Sequence, residues 1–196
     1  MKRRLSHEHL ENEQAYWIEK KEETIFDTLS KKDAPYLDDH RVFGYCIYPA
    51  AGYVRMMQSA AAGKMLTNLS FESALLFDST KPLATKMVIS SLGDQRDQIE
   101  LFVQTSGGKW QRHAMGVVSP LEELPPPLPA PLTGKTVSKE EFYKFFWEAG
   151  LTLGPRFQAV QEVVLGKDAA FSKVESTDPE ALLDGCFHLY FMIHQM

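Results

Sequence analysis

HRVFGYCIYP at positions 40–49, running on into AAGYVRMMQSAAAGKM at 50–65, is the stretch whose reading decides the fold. Pro49 suits the first position of a helix, where its missing N–H would be unpaired in any case. Val54, Met57, Ala61 and Met65 then recur at helical spacing, while Gly52 and the alanines permit close packing. The spacing predicts a buried core helix over 50–65. Such a stripe of small residues and methionines can also form a cofactor wall, but helical stripes of this kind usually face a core.

Four strand-like runs follow, at 66–77, 84–92, 98–105 and 110–119. The third, QIELFVQT, alternates polar and apolar as a half-buried strand does. GDQRD (93–97) and SGGK (106–109) supply turns between the last three. One buried helix followed by an antiparallel meander predicts a sheet wrapped around a helix. Upstream, residues 8–33 are polar and charged and predict at most one strand or short helix.

Downstream, PLEELPPPLPAPLTG (120–134) is too rich in proline for central sheet positions and reads as a semi-rigid linker. A second unit follows. Ser138 and Glu141 form a capping box, and Val137 and Phe142 stand where a hydrophobic staple would. EEFYKFFWEAG (140–150) reads as an amphipathic helix that stops at Gly150. FQAVQEVVL (157–165) and AAFSKVES (169–176) read as strands, and ALLDGCFHLYFMIHQM (181–196) as an apolar helix. The expected organisation is a first lobe over 1–119, a linker over 120–136 and a second lobe over 137–196. The second lobe repeats the first without its last strands. Its apolar helix needs a sheet, either from beyond the chain or from the first lobe.

Composition sets broader limits. The 196 residues are 44% hydrophobic and 11% aromatic, enough for a sizeable core and unlike a disordered chain. A formal charge of −5 argues against nucleic-acid binding, which needs a basic footprint. Cys46 and Cys186 make no disulfide framework and no CxxC metal pair, and the default compartment is a reducing cytoplasm. No run approaches the roughly 20 apolar residues of a membrane span. The charged N-terminus does not resemble a signal peptide.

Three residues carry candidate chemistry. In isolation His40 reads as a hydrogen-bonded structural histidine. Its place before Gly44, which permits close backbone approach, and at the mouth of the core helix adds the reading of a proton acceptor facing a pocket. Asp184 sits near the start of the last helix. The helix dipole there favours its anion, while Leu182, Leu183, Cys186 and Phe187 favour the neutral acid, and the sequence leaves the balance open. His188, four residues on, shares its helical face. The remaining candidates read as inert. His7, His9 and His194 lie in the ends, His113 in a strand, Cys46 in the core, and Gly107–Gly108 in a hairpin turn. Cys186 reads as a pocket neighbour without a nucleophilic role.

The spacing of these residues resembles a known family. His40, Gly44 and Pro49 match the HxxxGxxxxP motif of polyketide synthase dehydratase domains. LGPRF (153–157) matches most of their YGPxF motif, with Leu153 at the tyrosine. DGCFH (184–188) matches their DxxxQ/H motif. The three occur in the family's order, with the linker between the first and second. The resemblance implies an α+β double hotdog, two lobes each with an antiparallel sheet wrapped around a central helix. It implies that His40 takes the α-proton, Asp184 protonates the departing β-hydroxyl and His188 orients the aspartate. Gly44, Pro49, Leu153, Gly154, Pro155 and Phe157 are then expected to shape the substrate site. The Gly154–Pro155 segment lies along the phosphopantetheine arm.

The implied reaction is syn elimination of water from an acyl-carrier-protein-bound 3-hydroxyacyl thioester. It needs no metal or redox cofactor. The implied partners are the carrier protein, other domains of a multidomain synthase and a second copy in a homodimer, with no nucleic acid and no membrane. TDPEALLD (177–184) stands where the family usually has His-Pro before Leu-Leu-Asp, and the chain stops soon after the third motif. Sister functions on the same scaffold are a double-bond-shifting isomerase, a ring-forming enzyme and an inactive structural domain. A hotdog thioesterase fits less well, because the aspartate and histidine fall in separate lobes.

Overall fold

In the computed structural model, the described residues are 22–61, 63–77, 81–121, 133–167 and 169–194. His7, His9 and the central part of the proline-rich stretch lie outside them, as does the side chain of His194.

The first lobe is built on a five-stranded antiparallel sheet. Its strands are β1 (Glu22–Leu29), β4 (Met65–Phe71), β5 (Leu83–Gly93), β6 (Arg96–Gln104) and β7 (Trp110–Ser119), in the order β1-β5-β6-β7-β4. The polar lead-in thus supplies an edge strand. In β6 the alternation predicted by QIELFVQT is realised, with Ile99, Leu101 and Val103 buried on one face. Helix α1 (Ala50–Ala60) lies against that sheet and buries Ala51, Gly52, Tyr53, Val54 and Met57. Gly116 in β7 allows the approach, since a Cβ there would stand 3.2 Å from Met57 Sδ.

The helix is shorter than its stripe predicts. Pro49 is its N-cap, with extended backbone, rather than its first residue. Gly63 adopts φ +80°, the left-handed conformation that stops helices, and Met65 opens β4 opposite Ser119. The run 66–77 also divides. β4 ends at Phe71, and Ile47 then bridges Leu76 while Phe77 N–H donates to the Cys46 carbonyl.

The second lobe carries a three-stranded antiparallel sheet in the order β11-β10-β8, formed by β8 (Lys135–Ser138), β10 (Val160–Leu165) and β11 (Ala170–Val174). β8 begins inside the stretch expected to be linker, because Lys135 and Thr136 pair with Leu165 and Val164. Helix α2 (Lys139–Glu148) starts with the predicted capping box. Glu141 N–H donates to Ser138 Oγ, and Ser138 N–H donates back to the Glu141 carboxylate. Both staple residues, Val137 and Phe142, are buried.

Helix α3 (Pro179–His194) packs on β11 and on α1. Its sheet therefore comes from its own lobe, not from the first lobe's sheet. Gly185 makes the close approach possible, since a Cβ there would stand 3.0 Å from Val174 Cγ1. Tyr190 and Phe191 of this helix remain exposed. No helix among the described residues is long and apolar enough to cross a membrane.

A third sheet joins the lobes. β2 (His40–Val42) pairs on one side with β3 (Tyr45–Cys46) and on the other with β9 (Leu151–Leu153). The helices meet as well. At Gly52 a Cβ would fall 2.6 Å from both Tyr48 Cζ and Glu180 Oε1. Gly52→Ala should therefore lower folding stability by about 1–3 kcal/mol through overpacking. Urea unfolding followed by tryptophan fluorescence would show this, and an unchanged midpoint would mean that the crossing of α1 and α3 is loose.

Candidate active site

Backbone pairing places the first candidate. His40, Arg41 and Val42 stand opposite Leu153, Thr152 and Leu151. Phe43 N–H donates to the Gly150 carbonyl at 2.7 Å, and Gly154 N–H to the Asp39 carbonyl at 2.7 Å. Phe43 and Gly44 have φ of +48° and +83°, as the two central residues of a tight hairpin turn between β2 and β3 require. Gly44 is needed for that turn, and a Cβ on it would touch nothing within 4 Å.

The ring of His40 is fixed from two sides. Phe157 packs edge-on against it, with centroids 5.3 Å apart. Nδ1 lies 2.8 Å from the Ile47 carbonyl. A carbonyl only accepts, so Nδ1 carries the proton and Nε2 keeps a free lone pair. The bridge from Ile47 to Leu76 holds that carbonyl in place. Burial pushes the His40 pKa below its ordinary 6.5, against an opposing pull from the Ile47 carbonyl. The imidazole is therefore neutral and basic at neutral pH.

Asp184 and His188 enter from α3. The first turn of the helix starts at Pro179, so Asp184 lies in the second turn, past the unpaired N–H groups. Desolvation therefore outweighs the dipole. Burial, and then the charge of Glu180, pushes the Asp184 carboxyl up to about 7. His188 Nε2 lies 3.2 Å from Asp184 Oδ2, without the alignment of a hydrogen bond, and Oδ2 has no other partner among the described residues. Burial, and then the charge of His40, pushes His188 down to about 3, so its ring stays neutral. Phe146 packs on that ring at 5.0 Å.

The three side chains, 7%, 4% and 3% exposed, bring one donor atom each within 4.8 Å of one another. All three can thus act on one small group.

They line a chamber of about 540 Å³. Its remaining wall is mostly apolar: Val42, Ile47 and Pro49 from the first lobe, Phe145, Phe146 and Leu151 from the second, with Phe187 and Phe191 from α3. Of the expected site residues, His40, Pro49, Asp184 and His188 meet here. Gly44, Leu153, Gly154, Pro155 and Phe157 do not line it. Leu153 and Phe157 are buried behind His40, and Gly154 is pressed against Asp39. Pro155 lines a separate polar cleft with Arg55, Arg156 and Asp178, where Arg156 Nε donates to Asp178 at 2.6 Å. Cys186 is exposed and lies off the chamber.

Sequence reasoning missed Tyr48, Phe145, Phe146 and Phe191 as lining residues. It also missed Tyr143, whose hydroxyl accepts from Val160 N–H at 2.9 Å and anchors α2 over the site. Phe145 and Phe146 belong to a visible aromatic stripe with Phe142, but that stripe does not tell a face against a core from a face against a cavity.

The sequence matches two family descriptions, "Polyketide synthase dehydratase domain" over residues 12–104 and "Polyketide synthase dehydratase N-terminal domain" over 121–194. A phenolphthiocerol/phthiocerol polyketide synthase polypeptide of Mycobacterium tuberculosis is 32% identical over 163 residues, covering 75% of this chain and 9% of that protein. Polyketide synthase GfsB of Streptomyces halstedii is 26% identical over 197 residues, covering 87% of this chain and 4% of the relative. The chain thus spans less than a tenth of these curated relatives, which are large multidomain synthases.

Among solved structures, the dehydratase domain from the CurK module of the curacin polyketide synthase superposes with a TM-score of 0.75 at 18% identity, over 89% of this chain and 70% of that one. The dehydratase domain from the terminal module of the rifamycin polyketide synthase gives 0.75 at 22%, over 89% and 71%. These likenesses show the double-hotdog fold. Two lobes, joined through the strand that carries His40 and matched across both halves by the family descriptions, make the chain a member of the polyketide synthase dehydratase domain family.

Proposed function

We propose that the chain removes water from a 3-hydroxyacyl thioester carried on the phosphopantetheine arm of an acyl carrier protein. One observation carries this reading. A neutral base and a buried acid with raised pKa face one apolar chamber from opposite lobes. His40 Nε2 takes the α-proton, and the C–H electron pair becomes the Cα–Cβ double bond. The C–O bond breaks as Asp184 gives its proton to the β-hydroxyl, which leaves as water on the same face. His40 ends as imidazolium and Asp184 as carboxylate, and one proton transfer between them restores the starting state. The elimination is redox-neutral, so it calls for no electron carrier.

His188, neutral and 3.2 Å from the carboxyl, limits the directions in which Asp184 can turn. Phe145, Phe146, Phe187 and Phe191 offer a surface for a hydrocarbon acyl chain. In this reading the first lobe, up to residue 119, supplies the base, the second lobe, from β8 at Lys135, supplies the acid, and the proline-rich stretch joins them. Gly44, Leu153, Gly154, Pro155 and Phe157 shape the frame around the chamber and the path of the carrier arm. The carrier protein and neighbouring synthase domains are the working partners, within a homodimer.

His40→Ala and Asp184→Asn should each lower conversion of a carrier-bound 3-hydroxyacyl thioester to the enoyl product by about 100-fold or more, the usual worth of a general acid or base. Circular dichroism and thermal melting should show both variants folded. Near-wild-type conversion by either would remove the role assigned to that residue.

The rate should also trace a bell in pH. The base works unprotonated, so activity falls as pH drops through the His40 pKa, which lies below 6.5. The acid works protonated, so activity falls as pH rises through about 7. A kcat that keeps rising well above pH 8 would exclude Asp184 as the acid.

A further inference from the structure

TDPEALLD departs from the family pattern just ahead of the acid, and the departure places a second carboxyl in the interior. Glu180 is 3% exposed and lies one helical turn before Asp184 on the same face of α3. Tyr36 OH donates to its Oε2 at 2.8 Å, and Arg55 Nη1 stands 3.9 Å from the same oxygen. Its Oε1 has no hydrogen-bond partner among the described residues and faces the gap left by Gly52. Glu180 N–H donates to Asp178 Oδ1 at 2.9 Å, which puts Glu180 in the first turn of α3, where the helix dipole favours an anion.

Asp184 has none of these supports. It lies a turn further along, against an apolar wall, with a neutral imidazole beside it. Two carboxyl groups one turn apart and out of water do not both ionise readily, so the pair tends to share one negative charge. The donors decide which residue holds it. Tyr36 and Arg55 act on Glu180, while the first-turn N–H groups of α3 donate to Asp178.

We infer that Glu180 is a positioning residue for the elimination, an anion built one turn ahead of Asp184 that keeps the transferable proton on Asp184. The inference rests on the reading of Asp184 as the acid, and it adds a reason why this chain can hold that acid neutral. The groups facing Glu180 are Tyr36, Tyr48 from the segment before α1, Arg55 from α1, Arg156 from the Pro155–Phe157 turn, and Asp178. Those around Asp184 are His40 from β2, Tyr143 from α2, His188 and Glu180. The Glu180 carboxyl itself stands above the ordinary carboxylate value, raised by burial and by the charge of Asp178 against the opposing pull of Tyr36, Arg55 and Arg156.

The test is a ¹³C-carboxyl NMR titration of the chain, with the Asp184 signal assigned by its loss in Asp184→Asn. In Glu180→Gln the Asp184 midpoint should fall by about one pH unit, tenfold less protonated acid above the midpoint. The basic limb of the kcat profile should move down equally, with KM unchanged. Tyr36→Phe, which keeps the ring and removes only the donor, should move both in the same direction, and it carries the test if Glu180→Gln does not fold. An Asp184 midpoint that stays put or rises in these variants overturns the inference. The titration needs no turnover, so it decides the role of Glu180 even if the chain proves not to dehydrate.

Discussion

Between His40–Val42 and Leu151–Leu153 runs a backbone ladder three residues long, extended at its ends by Phe43 to Gly150 and Gly154 to Asp39. Everything at the site is placed relative to it. Two segments more than a hundred positions apart are held in one register, and a slip of one residue would turn His40 to the other face. The ladder puts Phe157 against the imidazole and brings the ring within reach of Asp184 and His188 on α3. The crossing of α1 and α3 closes the same seam on the helix side.

Across that chamber the same physical cause acts in opposite directions on His40 and Asp184. Loss of water disfavours whichever form is charged, so burial lowers the histidines and raises the aspartate. Burial beside an apolar cavity thus favours the uncharged form of both groups, which suits the proposed elimination. The apolar wall that suits a hydrocarbon chain is also what sets the protonation of the acid.

Much of this was legible in the residues. The capping box at Ser138, the alternation in β6 and the packing face of α1 follow from spacing alone, and His40, Pro49 and Asp184 stood out in their motifs. The end of α1 was misread because the stripe continues to Met65, while Gly63, a local stop signal, overrides it. The ladder between β2 and β9 was invisible, since three-residue strands have no period to detect. The aromatic wall was hidden for another reason, because a phenylalanine on an amphipathic helix looks the same whether it faces a core or a cavity. The balance on Asp184 also required coordinates, since it depends on the helix starting at Pro179 and on a buried neighbour.

The most direct measurement is mass spectrometry of a carrier-bound 3-hydroxyacyl thioester incubated with the chain in D₂O. A base and an acid working across one chamber should strip one water from the acyl group. Deuterium uptake at the α-carbon without loss of water would leave His40 as a base and contradict Asp184 as its partner. An unchanged thioester, with the chain folded and the carrier loaded, would contradict the reading of the chamber as a dehydration site.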